Sequence, residues 1–205
     1  MSDRETSPII SPDTHRSQRI PPGQVETRKW PVLHAGPTPS VDLGAWRFRI
    51  WGAVESEWKC TWDEFTALPR VHVFADMHCV TRWSKLNNDW EGISTREVLS
   101  RVQLRPTAQF VLVHCAYGFT TNLPLSDFLE DDCLFALRHN GADLTPDHGY
   151  PVRLVVPRLY AWKSAKWVRG LEILEKDQAG FWESWENGGY HMRGDPWVEE
   201  RFRNG

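Results

Sequence analysis

The sequence lacks a long apolar segment and contains few cysteines. No run of about 18 apolar residues occurs in its 205 positions, so no membrane-spanning helix is predicted. None of the four cysteines belongs to a Cys-x-x-Cys pair, and they stand singly at Cys60, Cys79, Cys115 and Cys133. A zinc knuckle, a thioredoxin-type motif and a disulfide framework are therefore disfavoured.

The amino-terminal region also lacks the features of an export signal. Its first 25 residues are polar and proline-rich, with neither an apolar core nor a twin arginine. We therefore expect residues 1–29 to form a disordered tail and the protein to be cytoplasmic. The net charge of -3 gives no basis for a nucleic-acid partner.

The remaining residues, 30–205, are expected to form one domain of the α+β class. A 40% hydrophobic content is enough for a substantial core. Apolar alternation or continuous apolar runs predict strands at residues 46–52, 70–79, 109–115, 133–137, 150–156 and 168–174. Helix signals are short, and no βαβ repeat occurs, so a doubly wound sheet is disfavoured.

Three further segments have no regular pattern. Residues 84–92 predict a loop or a short helix, and residues 117–122 predict a loop that pivots at Gly118. Residues 175–205 are rich in glycine, tryptophan and charge, and we expect irregular structure there. Two capping boxes, Thr61 to Glu64 and Ser94 to Glu97, predict the starts of two short helices.

Cys79 lies where an apolar strand is predicted to end. Apolar residues alternate from position 71 to position 79, and the polar, cationic run Thr81-Arg82-Trp83-Ser84 follows shortly after. A strand end can present a side chain to a site, and a thiolate is a soft metal ligand. A single cysteine is more commonly a small buried hydrophobe, which is our interpretation of the other three.

A second segment, residues 148–166, combines cations with a hydroxyl group around another predicted strand. It contains Arg153, Lys163, Ser164 and Lys166, a set that suits an anionic group such as a phosphate. The sequence contains neither the P-loop motif nor the dinucleotide-binding fingerprint. Solvated surface cations are the alternative explanation.

Tryptophan is unusually frequent, with twelve in the chain. Aromatic residues in irregular segments line cofactor cavities or pack long loops. The tryptophans in polar, loop-like surroundings are Trp83, Trp90, Trp162, Trp167, Trp182, Trp185 and Trp197.

Taken in order, these segments resemble the sulfite oxidase superfamily, specifically its stand-alone, haem-free bacterial branch. The run His78-Cys79-Val80-Thr81-Arg82-Trp83-Ser84 is similar to the segment that supplies the molybdenum ligand. Residues 149–157 and 162–167 are similar to the pterin-binding segments, and residues 31–36 to the first cofactor-contact loop. The resemblance extends over about residues 30–200.

The resemblance implies the mixed-sheet molybdopterin-domain fold, with molybdenum-molybdopterin as the cofactor and oxygen-atom transfer as the reaction. Cys79 would be the metal ligand. The implied cofactor contacts are His34, His114, His148, Arg153, Ser164, Ala165 and Lys166. The candidates for stabilising charge or donating hydrogen bonds at the substrate are Arg82, Arg158, Lys163, Tyr117 and Tyr160.

The substrate implied by the resemblance is a small sulfur- or nitrogen-containing molecule, and the electron donor or acceptor would be a separate protein. A cationic pocket would favour an oxyanion such as sulfite, whereas an aromatic pocket would favour a sulfoxide or an N-oxide. Two other functions are open at this point. One is a cofactor-free module with a tryptophan-lined cleft for a peptide or carbohydrate. The other is a thiol hydrolase that pairs Cys79 with His78, His114 or His148.

Overall fold

The computed structural model describes residues 7–184, 186, 189 and 193–198. Within these residues the strands are β1 Ile9–Ile10, β2 Val25–Glu26, β3 Arg47–Gly52, β4 Trp58–Thr61, β5 Val71–Cys79, β6 Trp83–Ser94, β7 Phe110–Cys115, β8 Thr120–Pro124, β9 Leu134–His139, β10 Ala142–Asp143, β11 Arg153–Val155 and β12 Val168–Leu174. The α-helices are α1 Trp62–Thr66, α2 Thr95–Leu99 and α3 Leu125–Phe128. The described chain contains no helix that is long and apolar enough to cross a membrane.

The strands form two mixed sheets. In the first, the order is β1-β5-β6-β9-β10, with β11 also paired to β9 and β2 to β6. In the second, the order is β4-β3-β12-β7-β8. Three pairs are parallel, namely β1 with β5, β2 with β6, and β3 with β12. The α+β prediction with mixed sheets and short helices is confirmed.

The main core is aromatic and joins the two sheets. Phe48 of β3 contacts Phe135 of β9, with ring centroids 5.4 Å apart, and Phe65 of α1 packs 5.1 Å from Phe48. Trp46 and Phe128 complete this cluster, and all five rings are fully buried. Burial of this much apolar surface is the main stabilising contribution, because each ring removes about 150–250 Å² from water.

The short helices begin where their capping residues predict. The Thr61 hydroxyl accepts from the Glu64 N–H, and the Glu64 carboxylate accepts from the Thr61 N–H, which completes the capping box of α1. Ser94 caps α2 by accepting a hydrogen bond from the Glu97 N–H. These caps satisfy backbone donors that have no partner within the helix.

Two segments predicted to be irregular are instead strands. Residues 84–92 belong to β6, which pairs with β5 on one side and β9 on the other. The region after Gly118 forms β8, which pairs with β7. The polar residues of β6 hid the strand pattern, because pairing with two neighbours overrides local propensity. At Gly92 a side chain would collide with the Phe135 carbonyl, so this close strand pairing requires glycine.

The amino-terminal segment differs from the expected disordered tail from residue 7 onward. Residues 9–10 pair with β5 and residues 25–26 with β6. The Ser11 hydroxyl donates to Asp132 at 2.6 Å, and Arg19 donates two hydrogen bonds to the buried Asp76. These contacts are hydrogen bonds of the backbone and of polar side chains and an ion pair, so the hydrophobic pattern of the sequence did not reveal them. Residues 1–6 lie outside the described chain, and the domain boundary at residue 30 stays a prediction.

Candidate cofactor site

A cavity of about 290 Å³ lies between the end of β5 and the segment before β12. Six of the predicted site residues line it, namely His34, Cys79, Arg153, Ser164, Ala165 and Lys166. The other lining residues are Trp30, Pro31, Leu33, Ala35, Met77, Val80, Thr81, Trp83, Phe119, Ala161, Trp162, Trp167 and Trp182. The fold therefore brings together the four separate segments that, in the sequence analysis, resemble those of a cofactor-binding family.

Cys79 ends β5 and lies in the cavity wall, with 7% of its surface exposed. The chain then turns tightly, and the Arg82 N–H donates to the Cys79 carbonyl at 2.9 Å. The Thr81 hydroxyl donates to the Cys79 sulfur at 3.2 Å. A hydrogen bond to sulfur favours the thiolate form, which is the form that binds a metal.

Arg153 is a buried cation at the cavity wall, with 2% of its surface exposed. Its guanidinium donates to the carbonyls of His148 at 3.1 Å and Ser164 at 2.8 Å. In the described part of the chain, Arg153 forms no ion pair with a carboxylate, and burial lowers its pKa to about 9. A buried charge without a counter-charge is costly, so this geometry indicates an anionic ligand.

Lys166 adds a second cation close to Arg153. Its ammonium donates to the Asp147 carbonyl at 2.5 Å. Burial, and then the charge of Arg153, lowers the pKa of Lys166 to about 7. Gly149 allows this arrangement, since its φ is +109° and an added Cβ would lie 2.9 Å from the Cβ of Arg153 and 3.2 Å from that of Lys166.

Ser164 and Ala165 also line the cavity, and their hydrogen bonds stabilise its wall. The Ser164 hydroxyl accepts from the Val156 N–H at 3.0 Å, and its carbonyl accepts from Arg153. The Ala165 carbonyl accepts from the Leu154 N–H at 2.8 Å. Ser164 thus orients Arg153, and both residues tie its strand to the segment that carries Lys166.

His34 and His148 both contact tryptophans of the cavity wall. His34 packs edge-on against Trp167 at 5.1 Å and lines the cavity. His148 lies behind Trp30, with ring centroids 3.9 Å apart, and its Nε2 is 3.2 Å from the Trp30 carbonyl. The structure therefore makes His148 a support for the wall, and burial lowers its pKa.

Besides His148, four of the predicted site residues do not line the cavity. His114 bonds to Glu172 at 2.9 Å and packs on Trp51 in the second sheet. Arg158 pairs with Glu130 at 2.7 Å and lies 3.7 Å from Asp127. Tyr117 is 70% exposed, and the Arg82 side chain is exposed beyond the turn. These residues were chosen because they lie near a motif in the sequence. Side chains that are near one another along a strand or turn can point in different directions, so nearness in sequence does not place them at the cavity.

Lys163 is a further candidate for stabilising charge at the substrate, but it is buried and does not line the cavity. Its ammonium is fully buried and bonds to Glu183 at 2.5 Å, to the Asn122 carbonyl at 2.7 Å and to the Asn122 side chain at 2.8 Å. Glu183 also accepts from the Trp162 indole at 3.1 Å. Lys163 therefore stabilises the structure behind Trp162.

The tryptophans divide into those that line the cavity and those that support it. Of those predicted, Trp83, Trp162, Trp167 and Trp182 line the cavity. Trp90 is fully buried next to Trp30, at 5.3 Å, and Trp197 packs beneath Arg16. Trp185 lies outside the described residues. Trp30, Met77, Thr81 and Phe119 also line the cavity and were missed, although Met77 and Thr81 flank Cys79 at alternating positions.

The histidines needed by a thiol hydrolase are bonded elsewhere. The Nδ1 of His78 is 2.9 Å from the Ser84 hydroxyl, and burial lowers the His78 pKa to about 4. His114 bonds to Glu172, and His148 bonds to Thr145 and the Trp30 carbonyl. Cys60, Cys115 and Cys133 are buried, and burial raises the pKa of each thiol. These contacts give no support to the hydrolase hypothesis.

The donor set fits a metal that arrives with a large anionic cofactor. The residues described here include no cluster of three His, Cys, Asp or Glu side chains that could hold a metal ion by themselves. Cys79 would supply one soft ligand, and the remaining ligands would have to come from the cofactor. Arg153 and Lys166 provide the charge that a cofactor phosphate would neutralise.

Comparisons with known proteins agree with this geometry. The oxidoreductase molybdopterin binding domain family matches residues 35–182. The chain is 44% identical over 188 residues to the uncharacterized oxidoreductase YuiH of Bacillus subtilis (strain 168), across 91% of this chain and 93% of YuiH. It is 28% identical over 182 residues to the sulfite oxidase of Arabidopsis thaliana, across 71% of this chain and 46% of that protein.

A solved structure shares the fold. The sulfane dehydrogenase SoxCD from Paracoccus pantotrophus superposes with a TM-score of 0.64 at 24% identity, over 74% of this chain and 43% of that chain. The chain therefore spans less than half of SoxCD and of the Arabidopsis sulfite oxidase, and nearly all of YuiH. At this identity the likeness to SoxCD shows the fold alone.

Proposed function

The chain belongs to the oxidoreductase molybdopterin binding domain family, and from this we propose that it transfers an oxygen atom to or from a small sulfur- or nitrogen-containing substrate. The resemblance to sulfite oxidase-type enzymes is confirmed, as are the prediction of an oxidoreductase and that of a molybdenum-molybdopterin cofactor. A cofactor-free binding module is accordingly set aside.

Three residues of this chain are proposed to hold the cofactor. Cys79 would give the metal its protein sulfur, with the Thr81 hydroxyl steadying the thiolate. Arg153 and Lys166 would bind the phosphate of the pterin through charge-assisted hydrogen bonds. When bound, molybdenum-molybdopterin supplies two-electron redox chemistry that the protein side chains lack. The protein binds and orients the reactants and keeps water out.

The aromatic wall of the cavity favours a neutral substrate, either a sulfoxide or an N-oxide. Trp83, Trp162, Trp182 and Phe119 form this wall, and Cys79 lines the same cavity. Among the described lining residues, Arg153 and Lys166 are the only arginine or lysine, and both are assigned to the phosphate. An oxyanion such as sulfite would lose its water of hydration against aromatic rings without a counter-charge, which is unfavourable. This aromatic wall is the observation that carries the proposal.

The test is a paired substrate screen on protein made in a host that synthesises molybdenum cofactor. We expect about one molybdenum per chain, with reduction of methyl aryl sulfoxides or trimethylamine N-oxide by a reduced viologen dye. Sulfite oxidation coupled to ferricyanide should be slower by about tenfold or more, since a poorly compensated charge costs over 1.4 kcal/mol. A sulfite rate above the sulfoxide and N-oxide rates would overturn the substrate assignment.

The Cys79→Ser variant tests the metal ligand in the same preparations. Serine keeps the size of the side chain but removes the soft sulfur, so molybdenum content should fall well below one per chain. A Cys60→Ser variant is the matched control, because Cys60 is buried away from the cavity. Full molybdenum content in Cys79→Ser would contradict the ligand assignment.

The electron donor or acceptor is proposed to be a separate protein.

A further inference from the structure

The amino-terminal segment, residues 7–27 and hereafter the strap, contacts the strand and turn that carry Cys79. On β5 the cavity is lined by Met77 and Cys79, whereas Asp76 and His78 are absent from the lining. Both of these residues are buried and lie beside the strap. The strap lies outside residues 35–182, the part of the chain that matches the family.

A buried hydrogen-bond chain connects the strap to the residue before Cys79. The Ser84 hydroxyl donates to the Gln24 side-chain carbonyl at 2.6 Å. The Ser84 oxygen is also 2.9 Å from Nδ1 of His78, and both side chains are fully buried. Because the hydroxyl proton is directed to Gln24, the oxygen accepts from His78, which assigns the proton of that ring to Nδ1.

The strap also holds the backbone of the turn. The Val25 N–H donates to the Arg82 carbonyl at 3.0 Å, and the Thr27 N–H donates to the Ser84 carbonyl at 2.8 Å. Arg82 has a φ of +71°, a left-handed conformation that is unfavourable for a residue with a side chain. Such a conformation persists only where its surroundings enforce it, and the strap supplies two of those constraints.

An ion pair anchors the strap to β5 a short distance before Cys79. Arg19 donates to the two oxygens of Asp76 at 2.8 and 2.6 Å, and to the Asn87 side chain at 2.8 Å. The Asn87 N–H donates to the same carboxylate at 2.9 Å. The Asp76 side chain is fully buried, so this bidentate contact is protected from solvent.

We propose that the strap positions the Cys79 sulfur for metal ligation, with Gln24, Ser84 and His78 as the positioning residues. The inference rests on the proposed function, in which Cys79 binds the metal of the cofactor. Residues that orient a metal ligand without touching the metal commonly change metal affinity or activity by about 10–100-fold when they are mutated. The strap acts in this way on a turn whose conformation is otherwise unfavourable.

The experiment compares Gln24→Ala with Gln18→Ala in the full-length holoprotein. Gln18 is an exposed residue of the same strap and forms no hydrogen bond within the described chain. In Gln24→Ala, amide hydrogen exchange should accelerate about tenfold in residues 76–85 and stay unchanged in residues 153–166. Molybdenum X-ray absorption should show a weakened contribution from the cysteine sulfur at unchanged pterin content. Gln24→Glu, which keeps the acceptor oxygen, should restore both.

Two results would overturn the proposal. One is identical exchange and identical metal–sulfur signals in Gln24→Ala and Gln18→Ala. The other is an acceleration of exchange spread evenly over the chain, which would show general stabilisation by the strap. Wild-type protein without molybdenum or pterin would instead refute the proposed function. In that case exchange in residues 76–85 would still decide whether the strap holds the turn.

Discussion

Arg153 and Lys163 are both buried cations on the segment that borders the cavity, but their charges are compensated differently. Lys163 contacts Glu183 and Asn122, so its counter-charge comes from the protein. Arg153 contacts carbonyl groups and forms no ion pair in the described chain. Burial lowers the pKa of both groups, which reflects the cost of removing a cation from water.

This difference is the basis of our proposal that Lys163 is a structural charge and Arg153 a ligand-binding charge. A compensated buried pair holds Trp162 and its neighbours in place, as the Glu183 contacts to Lys163 and the Trp162 indole show. A buried cation without a carboxylate is available to an anion that enters the cavity. This comparison predicts opposite consequences for removing the two charges.

The largest expected effect is on the free energy of unfolding when the carboxylate that pairs with Lys163 is removed. Glu183→Ala leaves a buried ammonium without its carboxylate, so the free energy of unfolding should fall by about 3–5 kcal/mol. Urea denaturation of the apoprotein measures this change. Glu186→Ala is the matched control, because Glu186 is an exposed residue of the same segment. Equal stability of the two variants would remove the distinction between Lys163 and Arg153.

Replacement of Arg153 should affect the cofactor and spare the fold. Arg153→Met should lower pterin retention after dialysis about tenfold or more, because a charge-assisted hydrogen bond contributes about 1.5–3 kcal/mol. The free energy of unfolding of the apoprotein should stay equal or rise, since a buried uncompensated charge is removed. In the control Arg158→Met, pterin retention should not change, as Arg158 lies away from the cavity. Undiminished retention in Arg153→Met would contradict the assignment.

The smallest expected effect is on anion affinity when a rise in pH removes the charge of Lys166. Its lowered pKa of about 7 means that the cationic form is lost as the pH rises through this value. Sulfate remains a dianion in this range, so its affinity for the apoprotein should fall by about fivefold between pH 7 and pH 8. Calorimetric titration measures the affinity. Lys166→Arg should show a flatter pH dependence, and an equal dependence in both proteins would rule out Lys166 as the titrating group.

Local patterns predicted much of the fold. The apolar alternation of β5 and the continuous apolar run of β7 matched the observed strands, because burial of their side chains is visible in the sequence. The polar strand β6 was missed, since its stability depends on hydrogen bonds to β5 and β9. The strap was missed for the same reason, as its contacts join residues far apart in the chain.

The residues chosen from whole matched motifs line one cavity, whereas most of those chosen for nearness in sequence to a motif lie elsewhere. Cys79, Arg153 and Lys166 line one cavity, as the matched segments implied. Arg158 and His114 lie close in sequence to a predicted strand or matched segment. In the structure they pair with Glu130 and Glu172, away from the cavity. The direction of a side chain depends on its strand or turn, which sequence distance does not report.

The sequence by itself determined the family, the strand that ends at Cys79 and the caps of the first two helices. Only the tertiary structure decided which cation lines the cavity, which one is neutralised by Glu183, and which segment contacts the turn after Cys79. The physical reason is that electrostatic and hydrogen-bond energies depend on distances of a few ångströms through space. Residues 19 and 76, or 163 and 183, come within such distances only when the two sheets and the strap are assembled.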